Sequence, residues 1–84
     1  MTGKFDPLEK YLRGLPVSQD KVTLSFESIE QVLNDSLPQA ALEEFDWWGN
    51  QKQGTQVEAL AWMDAGWLVD IVDLREKWVR FVRQ

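Results

Sequence analysis

The stretch that decides the fold is Trp67-Leu68-Val69-Asp70-Ile71-Val72-Asp73, then Leu74-Arg75-Glu76-Lys77, then Trp78-Val79-Arg80-Phe81-Val82-Arg83. Its two outer segments are rich in β-branched and aromatic residues, and apolar positions recur at every second place, the period of a half-buried strand. Strict alternation puts Trp67, Val69 and Ile71 on one face of the first segment and Leu68, Asp70 and Val72 on the other. In the second, Val79 and Phe81 lie opposite Trp78, Arg80 and Val82. The polar residues between them supply a turn, so the C-terminus reads as an antiparallel hairpin.

Working towards the N-terminus, Gly66 has no Cβ and is the expected left-handed stop of a preceding helix. That helix is predicted over 56–65. Thr55-Gln56-Val57-Glu58 has the spacing of a capping box, in which Thr55 and Glu58 each satisfy the other's backbone donor. Residues 49–54 are polar and contain two glycines, so they read as a loop. Pro38 opens a helix predicted over 39–48, with Ala40, Ala41, Leu42, Phe45 and Trp48 as its apolar surface. Before it, Phe26, Ile29, Val32 and Leu33 form the stripe of another helix, which Ser25 is placed to cap and Asn34-Asp35-Ser36 breaks. Val22, Leu24 and Phe26 alternate with Thr23 and Ser25 as a short strand. The first helix starts at Asp6-Pro7, with Asp6 as cap, buries Leu8, Tyr11, Leu12 and Leu15, and ends at Gly14 and Pro16.

The predicted order is helix, strand, helix, helix, helix, strand, strand. The first strand can add to the hairpin, and helices can then cover one face of the sheet. The fold class is therefore α+β: three to four helices packed on a small antiparallel sheet of two to three strands. A modified winged helix, with one helix added, is the nearest familiar arrangement. With 84 residues and no linker, repeat or low-complexity run, residues 1–84 make one expected domain.

Composition limits the chemistry. There is no Cys, which removes disulfides and thiolate nucleophiles, and no His, which removes the commonest general base and zinc ligand. Neither a nucleophile motif nor a glycine-rich phosphate loop is present. The expectation is a protein that is not an enzyme and that takes no cofactor and no metal. Glu43-Glu44-Phe45-Asp46 is the densest acidic group, but adjacent helical residues diverge, so a solvated face is the ordinary reading. Asp64, Asp70 and Asp73 lie near apolar segments, where a buried carboxylate could act as an acid; acids with purely structural roles are far commoner at such places. No segment approaches the roughly 20 apolar residues of a membrane span, and the N-terminus lacks the apolar run of a signal peptide. A cytoplasmic protein that makes no membrane contact is expected.

The net charge is −5, and it is unevenly placed. Residues 22–66 hold eight acids and one base, Lys52; residues 67–84 hold Arg75, Lys77, Arg80 and Arg83 against three acids. Two binding readings follow. Five Trp are many for a core of this size, and Trp47 and Trp48 are consecutive on a predicted helix, about 100° apart, so one of them should be partly exposed. Exposed Trp favours protein interfaces. The leading expectation is therefore a non-catalytic interaction domain that binds a protein partner or itself, through Trp47, Trp48, Asn50 and the hairpin edge. The alternative is weak nucleic-acid binding through Arg75, Lys77, Arg80 and Arg83, opposed by the net charge and by a helix before the hairpin that has two acids and no base.

The pattern Val22-Thr23-Leu24-Ser25-Phe26, Ile29-Glu30, Leu33, Leu37-Pro38, Ala41, Trp47-Trp48 with Asn50, and Ala61-Trp62 with Asp64-Ala65-Gly66-Trp67 runs on through Val69, Val72-Asp73-Leu74, Val79 and Phe81. With Phe5-Asp6-Pro7-Leu8 and Tyr11-Leu12 it resembles a bacterial family of small domains of unknown function. The Trp-Trp-x-Asn and Ala-Trp-x-x-Ala-Gly-Trp elements carry most of that likeness. The family has Gly after the second helix, where this chain has Asn34-Asp35. The resemblance implies a self-standing bacterial domain and no particular activity, cofactor or substrate.

Overall fold

A computed structural model describes residues 5–49 and 57–84, and only the backbone for 57–60. Helix α1 spans Asp6–Arg13, strand β1 Lys21–Ser25, α2 Phe26–Leu33 and α3 Gln39–Glu43. A 3₁₀ turn covers Phe45–Trp48, followed by α4 Val57–Asp64, β2 Trp67–Asp73 and β3 Trp78–Arg83. The α+β class expected from the sequence is the one observed. The strands form one antiparallel sheet in the order β1-β3-β2, so the C-terminal strand is central and β1 adds to the hairpin.

Local chemistry explains most boundaries. Ser25 is extended at φ −71°, ψ 157°, and its Oγ accepts the Ser28 N–H at 3.0 Å, which starts α2 where the strand ends. Asn34 stops α2 in the left-handed region at φ 55°, a conformation Asn tolerates better than most residues. Gly66 takes φ 89° after α4, as a residue without Cβ can. At the start of α1, the cap position is Phe5 and Asp6 is already helical, one residue earlier than expected. The hairpin turn is closed by Asp73, whose Oδ1 accepts the N–H groups of Arg75 and Glu76 at 3.0 and 2.8 Å. Lys77 then closes it in the left-handed region at φ 62°. The Thr55–Glu58 capping box lies outside the described residues.

Two expectations need correction. The helix predicted over 39–48 is broken at Glu44, which is extended at φ −124°, ψ 122°. The break frees the Ala41 carbonyl, and the Trp48 indole N–H donates to it at 2.9 Å. After the break, the rings of Trp47 and Trp48 lie 4.7 Å apart, edge to face, and both meet Trp62. Burial of two large indoles outweighs one turn of α-helix.

The second correction is in β2. Its register with β3 pairs Val69 with Phe81 and Ile71 with Arg80, leaving Asp70 as the extra residue of a β-bulge. Alternation therefore slips by one. Val72, not Ile71, packs on the core, and Ile71 is turned outward with 41% of its surface exposed.

The core is aromatic. Phe26, Trp48, Trp62 and Phe81 form a file across the interior, with successive ring centroids 5.2, 5.8 and 5.7 Å apart. The first two contacts are near-parallel stacks at 16° and 20°. Leu8, Leu12, Ile29 and Val79 close around it. Trp67 joins from β2 and donates its indole N–H to the Leu12 carbonyl at 3.1 Å, so its ring is buried without leaving an unpaired donor. Helix α1 packs on α2 and α4, α2 on β1, and α4 on β2.

Candidate functional site

The residues expected to face a partner are divided by the 3₁₀ turn. Trp48 is 2% exposed, so its ring belongs to the core file and cannot meet a partner. Trp47 is half-buried; its ring meets Phe5 edge-on at 5.7 Å and also lies against Trp48 and Trp62. The expectation that one of the pair would be partly exposed describes Trp47. Asn50 lies outside the described residues.

The break at Glu44 produces a feature that the sequence reading assigned to the apolar surface of a helix. Phe45 is 62% exposed, and Glu43, Glu44 and Asp46 around it are exposed too. A ledge results: Phe45 projects into solvent from the 3₁₀ turn that also carries the half-buried Trp47. The sequence did carry a sign of this. Phe45 is the only apolar residue in Glu43-Glu44-Phe45-Asp46, and burying it would pull charged neighbours out of water.

The four C-terminal bases do not form one patch. Arg83 turns to the helical side: its Nη2 and Nε donate to the Pro16 and Gln19 carbonyls at 2.7 and 3.0 Å, and its guanidinium lies 4.4 Å from the Trp67 ring centroid. Arg80 lies on the opposite face and donates through Nε and Nη2 to Asp70 Oδ2 at 3.0 and 2.7 Å. Arg75 and Lys77 remain exposed in the hairpin turn beside exposed Glu76. Two cations next to an acid neutralise few phosphates.

Two of the carboxylates singled out for acid–base chemistry, those of Asp70 and Asp73, have structural partners. Asp70 holds Arg80, and Asp73 holds the turn. Asp64 is exposed, and its carbonyl accepts from Arg13 at the end of α4 at 2.8 Å. A cleft of about 470 Å³ runs between α2 and the hairpin turn, lined by Ser25, Phe26, Glu27, Glu30, Leu42, Glu76 and Lys77. There, one Glu30 oxygen accepts the Leu37 N–H at 2.8 Å and closes the loop after α2. Among the described residues no three His, Cys, Asp or Glu are grouped to hold a metal ion, and no helix is long and apolar enough to cross a membrane.

Fold and surface together define a small α+β domain with an aromatic interior, one sheet face under helices and one sheet face open. Over residues 5–84 the chain matches the model of a family described as a domain of unknown function, DUF7662, and it belongs to that family. No curated protein and no solved structure matches it.

Proposed function

We propose that this chain is a non-catalytic interaction domain and that it meets a protein partner on the ledge of Phe45 and Trp47. One observation carries the reading: Phe45 is 62% exposed on the same 3₁₀ turn that carries the half-buried Trp47. Desolvating an exposed aromatic side chain is favourable, and aromatic anchors at the centre of an interface tend to dominate its affinity. Trp47 and Trp48 pack into the core and so hold the 3₁₀ turn that carries Phe45, which lowers the entropy lost on binding. A bacterial, cytoplasmic setting goes with this reading.

The test is in-cell proximity labelling with wild type, Phe45→Ser and Val17→Ser. Val17 is the control because it is 88% exposed and lies on a different segment. The reading expects a protein labelled by wild type and Val17→Ser but lost with Phe45→Ser. It further expects the purified pair to bind at least tenfold more weakly when Phe45 is Ser, the size of a hot-spot truncation. Identical labelling by all three chains would remove the ledge as the site.

A further inference from the structure

The sheet has a second face that the helices do not cover. Because Val79 and Phe81 point into the core, their alternates Trp78, Arg80 and Val82 point away from it. The bulge at Asp70 then aligns β2 with them: Leu68 pairs with Val82 and Ile71 with Arg80. From β1, Lys21 pairs with Val82 and Thr23 with Arg80. None of Leu68, Ile71, Trp78 and Val82 belongs to the core cluster. Four large apolar side chains therefore share this face, Ile71 exposed and Leu68, Trp78 and Val82 half-buried, where an antiparallel sheet ordinarily turns polar residues to water. They surround the Arg80–Asp70 ion pair, whose side chains are about one-third exposed at 34% and 38%.

We infer that a second copy of this chain stacks on this face, sheet against sheet, to make a weak two-fold dimer. Charge selects that occupant. The chain carries −5, so two copies repel each other over most of their surface. The open face is the exception, because Lys21 and Arg80 balance Asp70 and Asp73 there, while the exposed acids Glu27, Glu43 and Glu44 belong to the helical layer. An isologous contact needs a self-complementary patch. A two-fold axis through the ion pair supplies one, setting Arg80 of each copy towards Asp70 of the other with the apolar residues meeting around them. Size sets the strength. Three strands about 4.8 Å apart and about six residues long give a face of roughly 14 by 20 Å. Pairing two such faces covers roughly 280 Å² on each copy, less than a standard interface buries, so the dimer is weak and reversible.

The inference goes beyond the Phe45 ledge and stands or falls separately from it. Sedimentation of the full chain from about 10 μM to 1 mM reads it directly, since this range brackets the affinity of a small interface. The mean mass should rise from one chain towards two. Ile71→Lys should weaken association at least tenfold, because it buries an unpaired charge in the contact. Ile71→Thr, which keeps a β-branched side chain, should weaken it less, and Val17→Lys should leave it unchanged. A wild type that stays monomeric over the whole range overturns the inference. So does a folded Ile71→Lys or Ile71→Thr that associates as tightly as wild type.

Discussion

The two ladders of the sheet obey alternation differently. On β3, the strict period of two holds from Trp78 to Arg83, with Val79 and Phe81 both at 0% exposure. On β2, it fails at Asp70, and Ile71 and Val72 exchange faces. The two strands have similar compositions, so composition is not the cause. Position is. Strand β3 is paired on both sides, so a slip in it would displace two ladders and turn every core side chain outward. Strand β2 is an edge, paired on one side, and an extra residue there disturbs a single ladder while bending the strand away from edge-to-edge pairing. The lesson is that a central strand enforces its sequence period and an edge strand can suspend it.

The largest expected effect is a direct attack on that asymmetry. Deleting Arg80 from β3 makes Val79 and Phe81 adjacent, and adjacent strand residues cannot face the same core. The cooperative thermal transition of wild type should vanish in circular dichroism; retention of a sharp transition would show that β3 is not the strand that enforces register. Next comes Trp62→Ala, which removes the ring between Trp48 and Phe81. Such truncations cost about 3–5 kcal/mol, a large share of the total stability of a domain this small, and should lower Tm by about 20 °C or more in calorimetry. A much smaller drop would mean that the aromatic file is not the centre of the core. The smallest effect is expected for deletion of Asp70. Its removal joins Val69 to Ile71 with the present pairings intact, and the ion pair that it loses is partly solvent-exposed, where such pairs contribute about 0–1 kcal/mol. The variant should keep the wild-type fold by NMR and lie within about 1 kcal/mol of it in denaturant unfolding. Collapse of the fold would show that the bulge is required and not merely tolerated.

Much of this architecture could be read from local chemistry. Ser25 as a cap, Asn34 as a helix stop and Gly66 as a left-handed turn act through their own backbone or their nearest neighbours, so the chain order alone reveals them. The alternation of Val22 with Leu24 and of Val79 with Phe81 was legible for the same reason. The candidate surface was less so. One of Trp47 and Trp48 was expected to be partly exposed, and it is Trp47, while Trp48 is core; Phe45, expected on the apolar surface of a helix, is the residue that projects. The four bases of the C-terminal segment looked like one group because they are close in sequence. Arg80 and Arg83 are three residues apart on a strand, an odd spacing that sends their side chains to opposite faces.

Sequence by itself determined the class of fold, the order of its elements and which residues begin and end them, because propensity, capping and period act over a few residues. Only the tertiary structure decided where α3 breaks, which indole enters the core, that Asp70 is bulged and that Ile71 faces outward. Those outcomes depend on contacts between segments far apart in the chain, where burying Trp48 against Trp62 and pairing β2 with β3 outweigh the local preference of any one helix turn or strand.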